Sequence, residues 1–172
     1  AQGGDTAGFQ AIVNQLNDDT YFDFQATLVS PSQVDSMDEL NAYDVLVIGD
    51  NGYGGNGFDL FAAVLRSWVE GGGGVVMTGW GIYGSQTYNV SSATQANLDA
   101  IIPVDLAGSF SYVNAGTLTP SGVLHPVIEN VPVFSTSSGD YVEYPASGRI
   151  DSGAVTLATT LGQPTAVAGE PG

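Results

Sequence analysis

The sequence predicts an α/β fold, with helices flanking a mainly parallel central sheet and a C-terminal part of short β-strands. Two observations carry that expectation. Two aliphatic runs, Val45-Leu46-Val47-Ile48 and Val75-Val76-Met77, are separated by one stretch of helical periodicity, the grammar of a βαβ unit. From about residue 104 the apolar residues fall instead into short segments broken by Gly, Pro, Ser and Thr. The architecture expected is a three-layer, Rossmann- or flavodoxin-like sandwich spanning 1–172 as a single domain.

Taken in order, Phe9, Ile12, Val13 and Leu16 form an i, i+3, i+4, i+7 stripe with Asp5 or Thr6 as N-cap. Phe22, Phe24, Ala26 and Leu28 alternate with polar residues and predict a strand. Ser36-Met37-Asp38-Glu39 has capping-box spacing and opens a helical turn containing Leu40. The run at 45–48 predicts a strand buried on both faces, as parallel strands are. A polar, glycine-rich loop follows at 50–57. Asp59 can cap the next helix, whose stripe is Leu60, Phe61, Val64, Leu65, Trp68 and Val69, with Gly71 as the C′ residue. The second strand covers 75–77, and 78–84 reads as a turn rich in Gly and aromatics. Ser91 or Ser92 can cap a helix carrying Leu98, Ile101 and Ile102, stopped by Pro103. Strand-helix-strand spacing implies right-handed crossovers. Beyond it, Phe110, Tyr112, Val113, Val133, Phe134, Tyr141, Val142, Val155, Leu157 and Val167 mark short strands, partly antiparallel, that close one side of the sheet.

Composition narrows the function. Eighteen acidic residues face two basic ones, Arg66 and Arg149, for a formal net charge of −16, with no Lys, one His and no Cys. Two arginines cannot neutralise a nucleic-acid backbone, and an anionic membrane surface repels the chain. No apolar run is long enough to span a bilayer. Disulfide frameworks, thiolate metal sites and cysteine nucleophiles are excluded. A hydrophobic fraction of 43% with only 12% charged residues excludes disorder. The acidic, Lys-free composition suits an extracellular or cell-surface protein.

The order of segments resembles the class I glutamine amidotransferase-like fold, in particular its trehalose-utilisation (ThuA-like) relatives. The matching pieces are Leu40-x-x-Tyr43-Asp44-Val45-Leu46-Val47-Ile48-Gly49, the helix end Trp68-Val69-Glu70-Gly71-Gly72-Gly73-Gly74-Val75-Val76, His125-Pro126-Val127-Ile128 with Val131-Pro132-Val133-Phe134, and Ala158-Thr159-Thr160 with Gly162-x-Pro164. The resemblance implies a Gly-x-Cys-x-Gly nucleophile turn after the second strand. This chain reads Gly79-Trp80-Gly81-Ile82-Tyr83-Gly84 there, so Gly81 stands at the nucleophile position and a thioester mechanism is excluded. The resemblance also implies a strand before the Phe9 helix and another at the far end. The expectation is that these are supplied by the remainder of a longer polypeptide or by a strand-donating protein partner.

Ligands of open α/β sheets sit beyond the carboxyl ends of the strands. The candidate ligand-binding residues there are Asp50, Asn51, Tyr53, Trp80, Tyr83 and Ser85, with His125 as a further candidate. Aromatic, amide and carboxylate groups together suit a carbohydrate; alternatively, the glycines only shape turns and the rings cap the sheet. Asp50, Asn56 and Asp59 are oxygen donors of the kind Ca²⁺ takes, although their spacing misses the EF-hand pattern; Asp18-Asp19 and Asp140 with Glu143 are other acidic candidates. His125 lacks both a nucleophile elbow and a second His, and reads as a loop anchor. No catalytic residues and no organic cofactor are expected. The functional expectation is a non-catalytic extracellular binding or assembly domain of a bacterial protein, such as a filament subunit. The alternative is a carbohydrate-binding module or an atypical hydrolase using His125 and strand-end carboxylates.

Overall fold

The computed structural model describes residues 6–20, 23–49, 57–87, 90–108, 110–114, 116–137, 141–146 and 149–171. They cluster into two compact units, 1–98 and 99–172.

The first unit opens with α1 (Thr6–Leu16). Asn17 follows, and its carboxamide brackets Ala26: Nδ2 donates to the Ala26 carbonyl at 2.9 Å and Oδ1 accepts from its N–H at 2.6 Å. Residues 23–30 are therefore not the strand that their alternation predicts. A side-chain amide satisfies the backbone groups a neighbouring strand would have used. Phe22 lies outside the described residues. The helical turn α2 (Met37–Leu40) is capped by Ser36, whose Oγ accepts from the Glu39 N–H and donates to the Glu39 carboxylate at 2.8 Å. This carries Leu40 into full burial.

The parallel pair comes next. β1 (Val45–Ile48) and β2 (Gly74–Met77) pair in register Val45↔Gly74 through Ile48↔Met77. Between them runs α3 (Gly57–Glu70), which buries Phe58, Phe61, Ala62, Leu65, Trp68 and Val69. Leu60, placed on this stripe by periodicity, is exposed instead. The helix ends in a Schellman motif: the Gly72 N–H bonds the Val69 carbonyl and the Gly73 N–H bonds the Trp68 carbonyl. The left-handed C′ residue is Gly72, at φ 108°, rather than Gly71. Gly73 lies flat against the Trp68 indole, where a Cβ would stand 2.3 Å from the ring.

The segment after β2 is a helix and not a turn. In α4 (Gly79–Thr87), Thr78 is the cap: its Oγ1 accepts from the Gly81 N–H at 3.3 Å and its carbonyl from the Ile82 N–H. Glycine costs an isolated helix about 1 kcal/mol relative to alanine. Here Gly81, Gly84 and Ser85 are buried, so packing overrides propensity. In α5 (Ser92–Asp99), Ser91 is the cap, and Ile101 and Ile102 lie beyond the helix end.

The second unit is antiparallel. β3 (Phe110–Asn114), β4 (Thr117–Pro120), β5 (Phe134–Ser135), β6 (Tyr141–Pro145), β7 (Val155–Thr160) and β8 (Gln163–Ala168) form a β3–β6 pair and a sheet of order β5-β4-β7-β8. All their pairings are antiparallel. This corrects the expected fold class. Parallel pairing is confined to one βαβ unit among the described residues, and the chain is not a mainly parallel Rossmann- or flavodoxin-like sandwich. The physical reason lies in the connections. Parallel strands need a crossover of a dozen or more residues, whereas β7 and β8 are joined by the two-residue turn Leu161-Gly162.

At that turn both central residues have positive φ, 52° at Leu161 and 77° at Gly162, which is type I′ geometry. Leu161 is exposed and leucine disfavours this region. Leu161→Asn is expected to stabilise the fold by about 0.5–1 kcal/mol. Urea midpoints of the two proteins check it, with no change or a decrease counting against this reading of the turn.

Candidate functional site

The carboxyl ends of β1 and β2 are where the sequence places a site. Of the candidates, Asp50, Asn51, Tyr53 and Asn56 lie outside the described residues. Gly49, at the end of β1, has the Phe9 ring against its α-carbon, where a Cβ would stand 2.4 Å from the ring. The backbone connection between the strand ends is the Thr78 N–H donating to the Ile48 carbonyl at 2.9 Å.

Gly81 carries the sharpest information. It occupies the third position of α4, buried, with a virtual Cβ 3.0 Å from the Ile48 carbonyl oxygen, 3.0 Å from Met77 Cγ and 3.3 Å from the Gly49 oxygen. Gly81 is thus packed closely onto two backbone carbonyls, and a side chain there would need its neighbours to shift. Ser85, one turn further on, is fully buried and donates its hydroxyl to the Ile82 carbonyl at 2.7 Å, while its own carbonyl accepts from Gln95 Nε2 at 3.1 Å. It holds α4 together rather than facing a ligand.

Trp80 and Tyr83, one turn apart on α4, form an edge-to-face pair with centroids 5.7 Å apart and planes at 88°. Both are partly exposed. His125 belongs to the second unit. Its Nδ1 accepts from the Val127 N–H at 3.2 Å and caps the 3₁₀ turn Pro126–Ile128, so the ring anchors its own loop through the tautomer protonated on Nε2.

Asp59 does not cap its own helix. From the first turn of α3 its Oδ1 accepts from the Ser91 N–H at 3.3 Å, from Ser91 Oγ at 2.9 Å and from Thr94 Oγ1. Ser91 in turn caps α5 by accepting from the Thr94 N–H. These bonds, the Thr94 hydroxyl first, hold the Asp59 carboxyl below its ordinary value. An oxygen already accepting three hydrogen bonds is a poor start for a metal site. Among the described residues no cluster of three or more His or acidic side chains is arranged to hold a metal. Asp18 is likewise turned inward on its own loop, accepting from the Thr20 N–H at 3.0 Å.

Both cations of the chain are used internally. Arg66 Nε donates to Glu70 Oε1 at 2.7 Å along α3, and Arg149 pairs with Asp105. Each arginine thus has a carboxylate partner within its own unit. Two acidic groups of the second unit are raised above their ordinary values: Glu143, already among the acidic candidates, and Asp151, which the sequence did not single out. Glu143, on β6, has Oε2 buried without a hydrogen-bond partner, and burial pushes its carboxyl up. Asp151 is raised first by burial and then by Asp99 and Asp105 nearby. Asp140 lies outside the described residues.

The most consequential feature was also missed. β1 alternates exposed and buried: Leu46 and Ile48 point inward, while Val45 and Val47 are 51% and 48% exposed. Val76, the register partner of Val47, is 52% exposed. One face of the parallel ribbon carries three half-exposed valines, against the expectation of burial on both faces.

No protein-family model and no curated protein sequence matches the chain. Among solved structures, Cytoplasmic Protein STM1381 from Salmonella typhimurium LT2 is similar, with a TM-score of 0.60 and 20% identity over 94% of this chain and 69% of that one. At that identity the likeness concerns the fold. Its description as a cytoplasmic protein runs against the extracellular or cell-surface localisation argued from composition. The expectation of a secreted structural, filament-forming or carbohydrate-active domain is accordingly withdrawn, and nothing in the geometry supports calcium or carbohydrate binding.

Two outcomes follow. Gly81→Ala is expected to destabilise the protein by about 1–2 kcal/mol, because the clash with backbone carbonyls exceeds the gain in helix propensity; thermal melts decide, and a stabilised variant contradicts the close approach. Asp59→Ala is expected to cost about 1 kcal/mol at pH 7. A carboxyl held below its ordinary value stabilises the fold above that value, and the contribution is lost as pH falls through the folded-state value. The gap between wild type and variant should therefore close as pH falls below about 4. A gap that persists unchanged at pH 3 would contradict the assignment.

Proposed function

We propose that the chain is a protein-docking domain, whose β1–β2 ribbon is completed by a partner polypeptide, and that its first unit is related to the amidotransferase-like, ThuA-like group. The observation carrying the docking reading is the bare valine face formed by Val45, Val47 and Val76. Parallel strands are stable when both faces are covered, and three half-exposed valines on one face are unusual in a sheet that ends its work with the domain. The ribbon also has two strands only among the described residues, leaving edges that another strand can join.

Support for the relationship comes from the β1–α3–β2–α4 order and from the capped strand-to-helix junction at Thr78, where amidotransferases carry their nucleophile. The same junction argues against hydrolytic chemistry in this chain. Gly81 has no side chain, the Ser85 hydroxyl donates to a carbonyl, and His125 Nδ1 accepts from its own loop.

Replacing Val47 with photoreactive benzoylphenylalanine in cells of the source organism is expected to give a discrete crosslinked product. The same replacement at exposed Leu60, on α3, is expected to give none. Absence of a product at position 47, or identical products at both positions, contradicts the docking role.

A further inference from the structure

We infer that the occupant of the valine face is a cationic amphipathic helix of a partner protein, and not a second copy of this chain. The inference rests on the docking reading above and adds the chemistry of the partner. The shape argument comes first. Along a strand, alternate residues are about 6.4–6.8 Å apart, and neighbouring strands lie about 4.8 Å apart. Val45, Val47 and Val76 thus make a compact apolar patch of the size that one helix stripe covers. Helices are also what normally cover a parallel ribbon.

The charge argument selects the partner. The chain carries −16, and both arginines are tied to Glu70 and Asp105. The first unit holds Arg66 alone against most of the chain's carboxylates. One of them, exposed Asp44, directly precedes Val45, and its backbone carbonyl already accepts from the Gly74 N–H at the start of the ribbon. A second copy would bring the same uncompensated negative charge to the same face, with no cation free to offset it. A segment with Lys or Arg flanking an apolar stripe meets complementary charge around a complementary patch.

The test uses the intact chain and two synthetic helical peptides with one shared leucine stripe, one flanked by Lys and the other by Glu. Calorimetric titration at 0.15 M salt compares wild type, the charge-neutral double variant Val47→Ser/Val76→Ser, and Leu124→Ser as an off-face control, Leu124 being fully exposed in the second unit. The expected result is binding of the Lys peptide to wild type and to Leu124→Ser, weakened at least tenfold in the double variant. On wild type, amide shift changes should centre on residues 45–48 and 74–77, a readout that needs no variant. Equal binding of the Lys peptide to the double variant, or shift changes spread over the acidic surface, means charge alone acts and overturns the inference. Binding of the Glu peptide as tightly as the Lys peptide, with loss in the double variant, keeps the docking face and overturns the cationic partner. Absence of binding by either peptide overturns the inference.

Discussion

The first unit depends on the parallel pairing of β1 with β2. Parallel strands cannot be joined by a tight turn, so the chain must leave the sheet and return. That return is α3, whose apolar face supplies Phe58, Phe61, Leu65 and Trp68 to the core. The Schellman turn at Gly72 and the flat Gly73 beneath Trp68 bring the chain back within bonding distance of Asp44. At the other end, the Ile48 carbonyl accepts the Thr78 N–H, and Gly81 packs α4 onto the same oxygen. A side chain at Gly73 would displace the Trp68 indole, and one at Gly81 would press on the Ile48 carbonyl. The same pairing creates the valine face, because the alternation that buries Leu46 and Ile48 turns Val45 and Val47 outward.

Local signals in the sequence proved legible where the physics is local. The Ser36 cap, the aliphatic runs of β1 and β2, the crossover helix and the Ser91 cap all follow from short-range spacing. What failed depends on partners distant in sequence. Four consecutive aliphatics look alike whether a strand is covered on one face or two, so the exposure of Val45 and Val47 was hidden. Alternation at 22–28 suggested a strand, but Asn17 took the pairing role that a strand would need. The glycines of α4 suggested a turn, yet their small size is what lets the helix lie against carbonyls. β4 was missed because Thr117-Leu118-Thr119-Pro120 carries one apolar residue and is recruited by β5 and β7 on either side. The extent of parallel pairing was overestimated because one clear βαβ unit does not show that the central sheet continues beyond it in the same sense.

The candidate site divides along the same line. The glycine at position 81 was visible from the turn sequence, and the geometry shows its close approach to the Ile48 and Gly49 carbonyls. Asp59 was visible as a carboxylate but not as the acceptor for Ser91 and Thr94, 32 and 35 residues away. Its hydrogen bonds to Ser91 and Thr94 tie α3 to the start of α5. Among the described residues, both arginines are paired with carboxylates, and the Ser85 hydroxyl and His125 Nδ1 are bonded to backbone groups.

The absence of cysteine allows a direct measurement of the feature on which this rests. A single thiol introduced by Val47→Cys can be compared with one introduced by Leu46→Cys, the adjacent position on the opposite face, in alkylation by iodoacetamide under native conditions. The valine face predicts rapid modification at 47, near the rate of an unfolded control, and strong protection at 46. Equal protection at both positions would show that the chain itself covers this face, and would contradict the docking role.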